Sequence, residues 1–577
     1  MAKRAALALA LATLFLLLTI SSGASEFAKE QYLSQAQAEA LIKLVRAQIG
    51  QGQAIPTTNE LTVEFKNPVM VGWQDKNGKY RLAVARGTSI REAAISASQK
   101  LLAIGEIPQG SRLYVSVLLS YSALPEDKKS VLGNGLYGLG YNSENKTCFA
   151  TPEFLFYRGI NLNGAKRSLK ESQECCIAQE FGTKGFSRFK SQTIVERQDG
   201  SAAILFRGAY PVKLEEVNPE NVRKDVKLGA DFLVGMIRPN GQFYYQYDPR
   251  TDKLEETSYN LLRHAGTVYS LYQVCRNLSA PEYCDAAERA WDWLVSKVKT
   301  EKVGDKVIAY PEYKESIKLG GIGLMLIALA ERAKATGKYD RELAKELVNF
   351  VEFMQRPNGD VYYYYKQLKG ESGRRAEHKA FYYPGEATLG LIRVYEVDKD
   401  PRFLELAEKS ANFLVDKRWR ILGIEITVPP DAWLTMALCE LYQIDPKPKY
   451  SNYAFKLAQR MISEQHSDAP YPDYVGGFSG MPPGVTATGG RMEAITATYF
   501  LAKNLKMDTT DLVRVIKLAV RFQINCTVRE EDYLFYPNPS RALGIFRRSP
   551  TSHEARIDYN QHNLSSLLSA MNILAGK

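Results

Sequence analysis

Three carboxylates stand near the starts of three apolar, helix-periodic segments: Glu386 in YYPGEATLGLIRVYE, Asp431 in PPDAWLTMALCELY and Glu493 in GRMEAITATYFLA. One carboxylic acid that gives up a proton, and a second carboxylate acting as base or nucleophile roughly 5–9.5 Å away, are what acetal cleavage requires. A helix N-terminus favours the ionised form, so the acid of such a pair needs burial or a neighbouring carboxylate to keep its proton. Each group also has a structural role open to it. Asp431 follows Pro429-Pro430 and suits an N-cap. Glu493 can pair with Arg491. Glu386 is the hardest to explain structurally, because an apolar helix is a costly place for an idle carboxylate.

A second constellation is His264, beside Arg263 in LLRHAGTVYSLY, and His562 in DYNQHNLSS. Two opposed imidazoles can remove a proton from a carbon and return it. A single histidine in such a place is more often a hydrogen-bonded core residue. Trp433 and Asp558 fall in the first turns of their segments, and Tyr382 just ahead of one. Asp248, His378, Tyr383 and Asp473 stand in the loops between segments. Arg491, Arg547 and Arg556 are candidates for binding a carboxylate bidentately. No Cys/His set has zinc spacing, so no metal and no cofactor is expected.

From about Val222 onward, two kinds of helical segment alternate. Segments such as VRKDVKLGADFLVGMI and YDRELAKELVNFVEFMQ are charged on one face; IKLGGIGLMLIALAERA and DAWLTMALCELYQI are apolar nearly all round. One apolar face means packing on one side, and an apolar circumference means full burial. Six of each alternate, joined by short turns after the buried helices and by long aromatic or Gly/Pro-rich loops after the charged ones. The simplest closed arrangement is an all-α (α/α)6 toroid of six helical hairpins, with buried helices inside and long loops on one face. RPNG occurs twice, at Arg238 and Arg356, each time ending a charged helix and followed by tyrosines. Pro stops the helix and Asn-Gly turns the chain, which places the tyrosines at the mouth of the ring.

Residues 222–577, through LLRHAGTVYSLY, YYPGEATLGLIRVYE and PDAWLTMALCELY, resemble the six-hairpin glycosidase superfamily and its toroid relatives. Those include unsaturated-uronyl hydrolases, sugar 2-epimerases and the helical part of uronyl C5-epimerases. The resemblance implies a carbohydrate-active enzyme with its substrate in the toroid cleft. The leading expectation is a glycoside hydrolase with Glu386 and Asp431 as the acid/base pair and Glu493 in reserve. Arg263, His264, Tyr382, Trp433, Arg491, Asp558 and His562 are then the substrate-binding set. The alternatives are a sugar epimerase using His264 and His562, and a non-catalytic glycan-binding or cell-envelope assembly protein.

Residues 25–215 read as an α+β module, with the helix QAEALIKLVRAQIG, the helix SIREAAISASQKLL and alternating stretches such as RLYVSVLLSYSAL. The order of RGTSIREAAISASQKLL, RLYVSVLL and VLGNGLYGLGYNSENKTCFATPEFLFYRG resembles the AMMECR1-like domain, although that family's Leu-Arg-Gly-Cys-Ile-Gly stretch is reduced to ARGTS. The resulting division is 1–24 signal peptide, 25–215 α+β module and 216–577 toroid. The first residues combine Lys3-Arg4, an apolar run and Ser22-Gly23-Ala24, the pattern of a cleaved export signal. Export, to a periplasm or beyond the cell, with no membrane span after cleavage, is therefore expected. The net charge of +11 admits an anionic carbohydrate as partner; nucleic acid is not expected, since no recognition motif for it occurs. Of seven cysteines, Cys275 and Cys284 flank a short turn and suit a disulfide, and Cys148 has Cys175 or Cys176 as a candidate partner.

Overall fold

The computed structural model describes residues 32–576 apart from 51–60, 63, 129–130, 173–174, 179–183, 315–316, 367–373, 376–380 and 419–428. The expected export signal and His378 lie outside the described residues.

The helices that are apolar all round form a closed ring. They are α4 (Leu261–Leu278), α6 (Leu319–Thr336), α8 (Tyr383–Asp398), α10 (Ala432–Ile444), α12 (Val485–Asn504) and α14 (Ile557–Leu574). Each packs on the next, and α14 packs on α4. The run Leu319–Glu331 of α6 is buried at every position, as its composition requires. Outside them lie α3 (Pro219–Gly235), α5 (Pro281–Val295), α7 (Arg341–Met354), α9 (Pro401–Asp416), α11 (Pro448–Ile462) and α13 (Thr510–Cys526), each buried mainly along one stripe, with the last turn of α13 buried throughout. Short turns join each inner helix to the next outer one, and the long loops lie at the other end of the ring. One loop element was not foreseen from the sequence: the segment after α5 is an antiparallel hairpin, Val298–Val303 with Lys306–Pro311.

Both RPNG stretches make the same tight hairpin. Arg238 N–H donates to the Gln242 carbonyl (2.7 Å), and Arg356 N–H to that of Asp360 (2.7 Å). The glycines, at φ 89° and 91°, are needed for a second reason. A Cβ on Gly241 would lie 2.2 Å from the Arg289 carbonyl oxygen of α5, and one on Gly359 2.4 Å from that of Lys409 in α9. Each turn thus docks against the following outer helix. Gly544 makes the same approach to Leu228 of α3, which closes the outer layer from the last hairpin to the first. The tyrosines that follow do not all face an open mouth. Tyr245, Tyr247, Tyr363 and Tyr365 are buried, in or beside short strands (Gln246–Asp248 and Tyr364–Tyr365) that stitch neighbouring loops together.

Ahead of the ring, α1 (Gln35–Ile49) and α2 (Ile90–Ile104) pack together on one face of an eight-stranded antiparallel sheet. Its strands are β1 (Val69–Gln74), β2 (Tyr80–Ala85), β3 (Arg112–Ala123), β4 (Gly138–Asn142), β5 (Thr147–Ala150), β6 (Cys176–Ile177), β7 (Gly185–Glu196) and β8 (Ala202–Ile204). The order is β2-β1-β3-β7-β4-β5-β6, with β8 on β7. The period-two alternation of strands sends side chains to two different cores. Val69, Val71, Trp73, Val115 and Val117 join the core under α1 and α2, whereas Met70, Leu82, Tyr114 and Leu118 join the core of the ring. Polar contacts fix that junction. Gln74 accepts from Phe535 N–H (2.6 Å) and donates to the Tyr536 carbonyl (3.1 Å), and Asp532 accepts from Tyr210 N–H (2.7 Å). Disulfides join Cys148 to Cys176 and Cys275 to Cys284.

Candidate functional site

Glu386 lies in the first turn of α8, against α6. A Cβ on Gly320 would lie 1.9 Å from Glu386 Oε2, and one on Gly323 2.5 Å from the Glu386 carbonyl carbon. The small residues of LGGIG are therefore the recess that holds the start of α8. Glu386 Oε2 is buried with no hydrogen-bond partner among the described residues. Burial first, and then the charge of Asp431, push the carboxyl up to about 8, against a smaller opposing effect of Lys318. At neutral pH this group is a carboxylic acid.

Asp431 fills the N-cap role open to it and an ion pair besides. Its Oδ1 accepts from Leu434 N–H (3.0 Å), capping α10, and its Oδ2 accepts from Arg418 Nη2 (2.9 Å). Burial raises its pKa, while the guanidinium and the cap N–H work the other way. Arg418 also lies over the Phe381 ring (4.4 Å), so the pair ties the entry of α8 to that of α10.

Glu493 belongs to a third arrangement. Its Oε1 accepts from Tyr269 Oη–H (2.9 Å), its Oε2 pairs with His562 Nδ1 (2.7 Å), and Gln561 Nε2 donates to Tyr269 Oη (2.6 Å). Trp433 lies near both Tyr269 (ring centroids 6.4 Å) and His562 (5.8 Å). Burial works against the charged imidazole, but the Glu493 carboxylate outweighs it and the His562 pKa is raised. Four inner helices thus supply one acid–base cluster. A cavity of about 250 Å³ adjoins it, lined by Tyr269, Trp433, Glu493, Cys439 and Arg393, and it runs to Gln443 and Asn504. The last two are exposed near the C-terminal ends of α10 and α12. This cavity opens on the face of the short turns, not of the long loops as the sequence suggested. The physical reason is depth: Glu493 lies eight residues beyond Val485, about 12 Å along the helix at 1.5 Å per residue.

The two histidines do not oppose one another. His264 is fully enclosed, with Nδ1 bonded to Tyr259 Oη (2.6 Å) and Nε2 to the Ala290 carbonyl of α5 (2.8 Å). Burial holds it down to about 3, neutral. It faces outward from the ring, so of these two histidines a ligand in the ring meets His562 and not His264. Arg263 and Arg556 both pair with Asp558 (3.1 and 2.5 Å), and Arg263 also bonds Tyr245. Arg491 binds Glu464 (2.5 Å) rather than Glu493, and Arg547 is buried at the junction with the sheet, donating to the Asn525 carbonyl (2.9 Å). Tyr382 is half exposed beside α8. Asp248 pairs with Arg250, and Asp473 with Arg207, both away from the cluster. Tyr269, Gln561 and Arg418 went unnoticed in the sequence. The only signal for the first two is a hydroxyl and an amide inside helices otherwise apolar all round.

Among the described residues, no group of three or more His, Cys, Asp or Glu side chains could hold a metal ion, and no helix is long and apolar enough to cross a membrane.

No protein-family model matches the chain, and no curated protein matches it. Among solved structures it is similar to the GH76A alpha-1,6-mannanase of Salegentibacter sp. HEL1_6, at 12% identity over 61% of this chain and 99% of that one, with a TM-score of 0.44. It is also similar to the cellobiose 2-epimerase from Spirochaeta thermophila DSM 6192, at 14% identity over 62% of this chain and 98% of that one, with a TM-score of 0.45.

Proposed function

We propose that the protein is an exported carbohydrate-active enzyme, a glycoside hydrolase acting on an oligo- or polysaccharide held in the ring. Glu386 carries the reading. It caps nothing and pairs with nothing among the described residues, yet it is buried on a ring helix and holds its proton to about pH 8. A carboxyl kept neutral without a structural partner is what a general acid requires. Glu493, which lines the cavity beside Trp433, is better placed as the second carboxylate than Asp431, whose oxygens are engaged by Arg418 and the α10 backbone. In this reading Glu386 protonates the leaving oxygen, Glu493 acts as base or nucleophile, and Trp433 supplies a face for the sugar ring. The residues before the ring are read as an AMMECR1-like module without catalytic groups of its own. Two disulfides suit the oxidising setting of an exported protein.

A second reading rests on the Glu493–His562 pair. An imidazole bonded to a carboxylate at 2.7 Å can move a proton at a sugar carbon, which is epimerisation or isomerisation rather than hydrolysis. One experiment separates the two. The purified protein is incubated with neutral and uronate-containing oligosaccharides, and reducing-end release and epimer formation are both measured, with Glu386→Gln, Glu493→Gln and His562→Asn alongside. Release that Glu386→Gln abolishes while binding survives supports the hydrolase. Epimer formation that His562→Asn abolishes supports the second reading. Binding with neither product makes the protein a glycan-binding one and overturns both.

A further inference from the structure

One sizeable cleft of the molecule is not in the ring. It lies where the β3–β7 part of the sheet meets the loop between α11 and α12, and has a volume of about 880 Å³, within the roughly 300–1,000 Å³ of small-molecule sites. We propose that this cleft is a second binding site, and that it takes a neutral sugar unit of a glycan chain.

Its floor carries polar atoms that the fold leaves without partners. Glu153 Oε2, Ser191 Oγ and Arg207 Nη2 are buried and unpartnered among the described residues, and all three side chains line the cleft. Arg207 spends its other nitrogens on Asp473 (2.9 Å) and on the Asn134 carbonyl (3.0 Å). Buried polar atoms are normally satisfied, so three orphans around one cleft point to a ligand that satisfies them. The walls are aromatic. Tyr32 packs on Phe65 (5.5 Å), and Tyr137 and Tyr471 are each held by an arginine, Arg188 at 4.1 Å and Arg207 at 4.3 Å.

The charge balance selects the class of ligand. Lys66 is paired with Glu64 (2.7 Å) and Arg207 with Asp473 (2.9 Å), and Lys190 on the rim is engaged as well. Burial pushes the Glu153 carboxyl up to about 7, so in mildly acidic solution it is an uncharged donor. Among the described lining residues, Lys66 and Arg207 each already have a carboxylate counter-charge, so neither calls for a phosphate or a uronate. What remains is aromatic surface and neutral hydrogen-bonding groups, which together suit the apolar face and the hydroxyls of a neutral pyranose. The site is independent of catalysis in the ring, although the loop that carries Tyr471 runs on into α12, the helix of Glu493.

The test is calorimetric titration of the full chain carrying Glu386→Gln, so that no ligand is consumed. The probes are cellohexaose, mannohexaose, hexagalacturonate and inorganic phosphate, at pH 6. Ser120→Trp, at an exposed position lining the cleft, fills it without touching the core, and Tyr137→Ala removes one wall. Binding of a neutral hexaose that either variant weakens tenfold or more, while Glu493→Gln leaves it unchanged, is the expected result. Binding of neither neutral hexaose, binding of the uronate or phosphate alone, or affinity indifferent to both cleft variants would overturn the proposal. A hydrolase that fails to appear in the ring would leave this result untouched.

Discussion

Glu386→Gln removes an ionisable proton while keeping the shape of the side chain, and its effect on stability has a sign and a size. The folded chain keeps Glu386 protonated to about pH 8, whereas the ordinary value is 4.5. The unfolded chain therefore releases this proton first. The stabilisation it represents is full below 4.5 and declines as the pH climbs toward 8. Integrated from pH 5 to pH 8 at 1.36 kcal/mol per pH unit, the loss is about 3.5 kcal/mol. With an unfolding entropy of about 2.1 cal/mol/K per residue over a ring of about 360 residues, that corresponds to about 4–5 °C in melting temperature. Glutamine cannot ionise and escapes the loss. Glu153 and Asp225, both raised to about 7 by burial, destabilise the fold over the same interval, but equally in both proteins. Melting temperatures of wild type and Glu386→Gln at pH 5 and pH 8 therefore isolate the one carboxyl. The variant is expected to gain on wild type by about 4–5 °C at the higher pH. Parallel losses in the two proteins would show that Glu386 is ionised in the fold, and the general-acid assignment would go with it.

Asp431→Asn should behave in the opposite way, losing stability at both pH values, by about 3–5 kcal/mol, because it leaves the Arg418 guanidinium buried without its counter-charge; chemical denaturation at pH 5 and pH 8 measures it. Gly320→Ala sets a methyl 1.9 Å from Glu386 Oε2 and 2.5 Å from Tyr383 Cδ1, and overpacking of this kind costs about 1–3 kcal/mol. A lower melting temperature with loss of whatever activity Glu386 supports is the expected outcome. Cys275→Ser opens a disulfide of sequence separation 9, worth about 2.5 kcal/mol by loop entropy, so its melting temperature should fall below that of oxidised wild type but stay above that of wild type in reductant, which opens Cys148–Cys176 as well.

The ring was legible because burial leaves its mark on composition. A segment such as GGIGLMLIALAE has no polar face to give to water, and VRKDVKLGADFLVGMI has one, so inner and outer helices declared themselves wherever they stood. The turns were legible too, since Pro and Asn-Gly end a helix by local geometry. What RPNG could not disclose is why glycine is needed twice over. That depends on the Arg289 and Lys409 carbonyls, each about fifty residues further along the chain. Likewise the tyrosines announced aromatic loops, but only the pairing of short strands decides which of them are buried.

At the site, residue type was readable and direction was not. Glu386 stood out as a carboxylate with no task in an apolar helix. That it keeps its proton depends on how closely Gly320 lets α6 approach and on where Arg418 holds Asp431. His264 and Tyr269 share one helix and differ by five positions, roughly 140° of rotation at 3.6 residues per turn; one faces α5 and the other Glu493. No pattern within the segment says which side is the axis when every side is apolar. His562 and Glu493 meet across 69 residues, on helices that become neighbours only because α12 and α14 pack side by side in the closed ring. The sequence alone determined which helices are buried and which residue types they carry. Ring closure and helix rotation decided which of those residues meet, because contacts between distant segments follow from packing geometry that no local run of residues contains.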